Sequence, residues 1–281
     1  MTINTVGIIG AGTMGNGIAQ VVAVAGLKVV LIDVTEAALA KGIATLTGSL
    51  DRLVAKGKLE AAEAALSRIE TSTDYQRLAA VDIVIEAATE NTDLKIRILR
   101  QIESVARPDA IIASNTSSIS ITALGAALTD ASRFIGMHFF NPVPLLPLVE
   151  IIRGVQTSTA TIEAVRELTV KLDKSPISVK NAPGFVVNRI LVPMINEAFF
   201  VLAEGIATAE EIDLGMRLGA NHPIGPLALA DLIGLDVCLS VLDVFLKDFG
   251  DSKYRASPLL RELVAAGRLG RKVGQGVYRY D

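Results

Sequence analysis

Short apolar runs rich in Val and Ile alternate with longer segments of helical periodicity over the first two thirds of the chain. The runs at 5–9, 28–32, 69–71, 82–86, 110–113, 134–139, 149–152 and 175–180 predict strands. Between them, 13–25, 94–105, 119–128 and 160–172 predict helices, and 36–68 predicts two helices interrupted near Gly57. Alternation of this kind is the signature of a mostly parallel sheet with covering helices. The texture changes at Asn181-Ala182-Pro183-Gly184, and beyond it 185–205, 209–218, 226–249 and 259–266 all carry helical periodicity. The expected organisation is an α/β domain over 1–182 and an all-α domain over 183–281.

The first predicted strand runs into Gly10-Ala11-Gly12-Thr13-Met14-Gly15, which opens the first helix, and a second strand then ends in Asp33. A G-x-G-x-x-G in this strand–turn–helix–strand context predicts a Rossmann-type dinucleotide site. Gly10 permits the tight turn, Gly12 lets backbone amides approach a pyrophosphate at the helix N-terminus, and Gly15 lets helix and strand pack closely. Asp33, eighteen residues past Gly15, is placed to accept from a ribose 2′-hydroxyl. Val34, Thr35 and Glu36 offer no cation for a 2′-phosphate, which favours NAD over NADP. A glycine turn without nucleotide is the competing reading.

The candidate chemistry lies in 135–152, where His138 ends one apolar run and Glu150 sits in the next. Pro142, Pro144 and Pro147 fix φ and lack N–H donors, so the link is a shaped loop that can return Glu150 beside His138. An imidazole held by a carboxylate is a general acid/base near neutral pH. The plain alternative is a half-buried histidine and a solvated glutamate. Asn115 and Ser117 belong to Ser114-Asn115-Thr116-Ser117-Ser118, ahead of a predicted helix. Such a cluster is first a helix N-cap and also a row of hydroxyls at the sheet's ligand edge. Glu90 and Lys95 follow another strand end, where α/β sheets bind ligands, or are surface charges. Arg52 and Lys56 share one helical face, either a solvated basic face or an anion contact.

Composition narrows the classes. Aromatics are 4% and Trp is absent, so the core is built from Ala, Val, Ile and Leu, as suits helices packed on parallel strands. A net charge of −3 gives no electrostatic case for nucleic acid or an anionic membrane. One cysteine and two histidines make a Cys/His metal site improbable, and no metal is expected. The single Cys238 excludes an intrachain disulfide and fits a reducing, cytoplasmic compartment. The N-terminus enters a strand pattern at once, without a signal-peptide pattern, and the apolar run 18–30 is too short and too interrupted to span a bilayer. The helical domain is unusually apolar, which predicts burial against a second copy as a homodimer.

Several segments together resemble the L-3-hydroxyacyl-CoA dehydrogenases. They are the glycine loop, Ala113 with the Ser/Asn/Thr cluster, Met137-His138-Phe139-Phe140-Asn141-Pro142, Pro183-Gly184-Phe185-Val186-Val187-Asn188-Arg189 and Asn221-His222-Pro223-Ile224-Gly225-Pro226. The resemblance spans the chain and is nearest to the bacterial 3-hydroxybutyryl-CoA dehydrogenases. It implies His138 as catalytic base, Glu150 as its orienting partner, and Ser117 and Asn188 as substrate ligands, with Ser117 reaching towards the nicotinamide. It also implies Asp33 on the adenosine ribose, Glu90 and Lys95 on the nicotinamide side, and Arg52 and Lys56 near the phosphates of an acyl-CoA substrate. Arg52 often corresponds to lysine in those relatives, which keeps the charge and changes the geometry. Rival readings are a broader-chain enzyme of fatty-acid β-oxidation, a sugar-acid dehydrogenase like the λ-crystallins, and a non-catalytic NAD-binding protein.

Overall fold

Valine and isoleucine runs, favoured on pleated and buried surfaces, form the strands of the first unit. The structure, a computed structural model, describes residues 2–280. It divides into two compact units, Met1–Ala182 and Pro183–Asp281. In the first, β1 (Thr5–Ile9), α1 (Thr13–Val24) and β2 (Lys28–Ile32) are followed by α2 (Glu36–Ala55), a short α3 (Glu63–Leu66) and β3 (Ile69–Ser72). Gly57, at φ +66°, lies between α2 and α3. Then come β4 (Ile83–Glu86), α4 (Thr92–Val105), β5 (Ile111–Ser114), α5 (Ile121–Gly125), β6 (Phe134–Phe139), β7 (Leu148–Arg153), α6 (Thr159–Lys171) and β8 (Ser175–Lys180).

The eight strands form one sheet in the order β3-β2-β1-β4-β5-β6-β7-β8. All neighbours are parallel except β6 and β7. The antiparallel pair follows from its connection, because eight loop residues suffice for a hairpin whereas a parallel return requires a crossover. β4 and β5 are buried at every position, as expected for strands with helices on both faces. The parallel strands β1, β4, β5 and β6 present their C-terminal ends at one edge, and the loops there carry most of the candidate residues.

The second unit is helical: α7 (Val187–Ala203), α8 (Ala209–Gly219), α9 (Pro226–Ile233), α10 (Leu235–Phe249) and α11 (Pro258–Ala265). Its core gathers Ile195, Phe199, Leu227, Leu235, Cys238, Phe245 and Leu260. The single helix expected over 226–249 is instead two, because Gly234 at φ +108° breaks the path between α9 and α10. Its end is clasped by two buried carboxylates. Asp231 accepts from the Val277 and Tyr278 amides and the Tyr280 hydroxyl, and Asp213 from the Tyr278 hydroxyl. None of the described helices is long and apolar enough to cross a membrane.

Candidate active site

The glycine loop is built for close approach. Gly10 has φ +99°, and a Cβ there would lie 2.8 Å from the Ala88 backbone. A Cβ on Gly15 would lie 1.7 Å from the Gly10 carbonyl oxygen, so only glycine fits where the helix leaves the strand. Gly12 differs, since its Cβ would meet, its chain neighbours aside, no atom of the described residues within 4 Å. Gly12 also caps α1 with no side-chain bond, so the first turn, with Thr13 and Met14, presents backbone N–H groups without a capping oxygen. Open space over an uncapped helix N-terminus fits a pyrophosphate. Asp33 accepts from the Ala11 N–H at 2.6 Å and the Val34 N–H at 2.7 Å, which sets its carboxylate at the end of β2 beside the loop. These residues fit NAD.

His138 and Glu150 are register partners across β6 and β7. Partners directly opposite point to the same face, so the register itself brings them together. Nδ1 of His138 lies 2.7 Å from Oε2 of Glu150, with the histidine 6% exposed and the glutamate fully buried. The Phe140 ring packs on the imidazole at 4.5 Å between centroids. A buried carboxylate on Nδ1 orients the ring and selects its tautomer. The three-proline loop is fixed by Lys174, whose ammonium donates to the carbonyls of Val143 at 2.7 Å and Leu146 at 3.0 Å. Burial lowers the pKa of that lysine.

At the neighbouring strand ends, Asn115 accepts from the Phe139 N–H at 2.9 Å and ties β5 to the residue after His138. Glu90 accepts from the Thr116 hydroxyl at 2.7 Å and the Ser117 N–H at 3.0 Å, so the two loops meet through its carboxylate. The expected capping role of the Ser/Thr/Asn cluster falls elsewhere. α5 starts only at Ile121, with Ser120 accepting from the Ala123 N–H, while Ser117 caps no helix and is half exposed. Lys95 also departs from expectation. It is no surface charge but fully buried, its ammonium bonded to Glu86 and Ser114 beneath the ends of β4 and β5.

Arg52 and Lys56 lie exposed at the C-terminal end of α2, with no carboxylate partner among the described residues. Asn188 belongs to the second unit, half-buried in the first turn of α7. The next residue, Arg189, stacks its guanidinium over Phe249 at 3.6 Å and Tyr254 at 4.6 Å, which anchors that turn. Sequence reasoning missed Glu86 and Lys174, and took Ser114 only as part of the hydroxyl cluster. Glu86 closes β4, and that position was its only signal. Lys174 had none short of the fold.

A Rossmann-type sheet with an NAD-fitted glycine loop and a histidine–carboxylate pair at its ligand edge defines a nicotinamide-dependent oxidoreductase. Residues 5–182 match the NAD-binding domain of 3-hydroxyacyl-CoA dehydrogenase and residues 184–280 its C-terminal domain. The chain therefore belongs to the 3-hydroxyacyl-CoA dehydrogenase family, and its cofactor is NAD. It is similar to the (S)-3-hydroxybutyryl-CoA dehydrogenase of Ralstonia eutropha, whose crystal structure matches with a TM-score of 0.97 and 63% identity over 100% of both chains. A 3-hydroxybutyryl-CoA dehydrogenase of Bradyrhizobium diazoefficiens is 52% identical over 99% of this chain and 96% of its own length. A probable 3-hydroxybutyryl-CoA dehydrogenase of Deinococcus radiodurans is 52% identical over 98% and 99%.

Proposed function

We propose that the chain interconverts (S)-3-hydroxybutyryl-CoA and acetoacetyl-CoA, with His138 as general acid/base. The observation that carries the mechanism is the 2.7 Å contact between His138 and Glu150, enclosed at the ligand edge of an NAD-binding sheet. Support for the four-carbon substrate comes from the names of the relatives that match along the whole chain. NAD, when bound, supplies the hydride acceptor.

The chain's own residues manage the proton. With Nδ1 engaged by Glu150, Nε2 of His138 takes the proton from the 3-hydroxyl and returns it in the reductive direction. Glu150 holds the tautomer and offsets the charge that forms on the ring. Ser117 and Asn188 hold the hydroxyl and the developing carbonyl, worth about 10²-fold or more each if they act mainly in the transition state. Glu90 and Asn115 shape the nicotinamide side, and Arg52 and Lys56, without carboxylate partners among the described residues, meet the CoA phosphates. The helical unit contributes to substrate binding and pairs with a second copy. Its exposed Ile190, Leu218 and Leu232 support that pairing. A buried, unpaired Cys238 accords with the cytoplasm.

NADH oxidation with acetoacetyl-CoA tests this reading, run beside NADPH and a longer 3-ketoacyl-CoA. Fast NADH-dependent turnover that prefers the four-carbon thioester is expected. Preference for the longer chain moves the enzyme to general β-oxidation, and no turnover with any CoA thioester overturns the substrate reading.

A further inference from the structure

Glu86, Lys95 and Ser114 are each fully buried beneath the ligand edge, and the chemistry above uses none of them directly. The Lys95 ammonium donates to Oε2 of Glu86 and, at 3.2 Å, to the Ser114 hydroxyl, which in turn donates to the same carboxylate oxygen at 2.8 Å. The other oxygen, Oε1, accepts from the Ala88 N–H at 2.9 Å. Packing alone does not call for such a pair, because well-packed apolar side chains of similar volume commonly serve a fold as well or better. What the charges add is a fixed direction. With one oxygen held by a lysine and a serine, the carboxylate cannot rotate, and the second oxygen pins one backbone amide.

That amide belongs to a loop with little tolerance. The Ala87 and Ala88 backbone is what Gly10 must clear, with Ala88 Cα 2.8 Å and Ala87 oxygen 2.9 Å from the place a Cβ would occupy. Two residues after Ala88, Glu90 holds Thr116 and the Ser117 N–H. Glu86 also accepts the Asn115 N–H on its own carbonyl at 2.7 Å, and Asn115 reaches the amide beside His138. Lys95 extends the set into the first turns of α4, whose N-cap is Asn91.

We propose that Glu86, Lys95 and Ser114 form a positioning unit that holds the glycine loop, Glu90 and Ser117 in the geometry needed for hydride transfer. It rests on the dehydrogenase reading above. Displacement of a reacting partner by about 1 Å costs on the order of 10²-fold in rate, which is the scale of effect such a unit controls.

The test removes the charges as a pair, since a single deletion leaves a buried ion unmatched. Glu86→Leu with Lys95→Met is expected to melt at or above the parent's temperature, yet to lose about 10²-fold in kcat and about tenfold in NADH affinity. Glu86→Gln with Lys95→Met restores both to within about threefold, because the amide oxygen still accepts from Ala88 and the new NH2 donates to the Ser114 oxygen, reversing the bond that Ser114 gives the carboxylate. Parental kcat and NADH affinity in a folded leucine variant overturn the proposal, as does a loss equal in both double variants that merely tracks melting temperature. Should the leucine variant not fold, Ser114→Ala decides. Unchanged melting with kcat lowered about tenfold is expected, and unchanged kcat overturns the proposal. If the parent turns over no CoA thioester, the substrate reading fails separately, and NADH affinity across the same variants still tests the positioning unit.

Discussion

Exchanging His138 for glutamine removes the group that takes the proton while keeping a polar side chain of similar reach. The expected outcome is a kcat lowered by about 10²- to 10⁴-fold with NADH affinity unchanged, read by steady-state kinetics and fluorescence titration. Near-normal turnover in that variant sinks the base assignment. Glu150→Gln separates orientation from proton transfer, and its effect on kcat should exceed its effect on the KM for the thioester. At the other extreme is Cys238, whose thiol burial pushes up to about 12 from an ordinary 9.0. At pH 8 the native protein should therefore resist a thiol reagent that labels it promptly once guanidinium has unfolded the chain.

Among the elements, the glycine loop offers a sharp contrast. Gly15→Ala places a methyl 1.7 Å from the Gly10 oxygen and should lower both the melting temperature and NADH affinity. Gly12→Ala places its methyl within 4 Å of none of the described residues beyond its chain neighbours. It should melt like the parent and still bind NADH at least about tenfold more weakly, because the space it fills is the pyrophosphate's approach. Equal NADH affinity in Gly12→Ala contradicts the placement of the phosphates. This loop was legible in the sequence because its signal is local: glycines at fixed spacing between a strand and a helix. The His138–Glu150 pairing was legible too, since three prolines forbid a helical return. The Ser120 cap, the break at Gly234 and the burial of Lys95 were not. Each depends on what packs against the residue, and a serine cluster, a glycine in an apolar run or a lysine near a strand end reads the same before and after that packing is decided.

For the whole molecule, alkali is the revealing variable. Tyr75, Tyr278 and Tyr280 are held above their ordinary value of 10.0, mainly by burial, and Cys238 is raised as well. A group with a raised folded-state pKa contributes stability that is complete below its unfolded pKa and is lost as pH climbs towards the folded one. Lys174, lowered by burial, has the opposite sign and gains stability as pH rises towards 10.5. Three of the four losing groups lie in the helical unit, so melting followed by circular dichroism from pH 8 to about 11 should fall, with amide exchange rising first in residues of that unit. A melting temperature that holds or rises over this range refutes the ledger of signs. Light scattering is expected to give about twice the 29.6 kDa of one chain, in keeping with the apolar side chains that α7, α8 and α9 leave exposed.

The pairing of His138 with Glu150 through strand register has a consequence for how this chain can change length. Side chains on a strand alternate faces, so one residue gained or lost between Leu148 and Glu150 turns the carboxylate to the opposite side of the sheet from the imidazole. The loop at 140–147 bears no such parity. Residues can be added there, clear of the Val143 and Leu146 carbonyls that Lys174 grips, without altering which residue faces which. Insertions compatible with activity belong in that loop, and a one-residue step inside β7 amounts to deleting the glutamate.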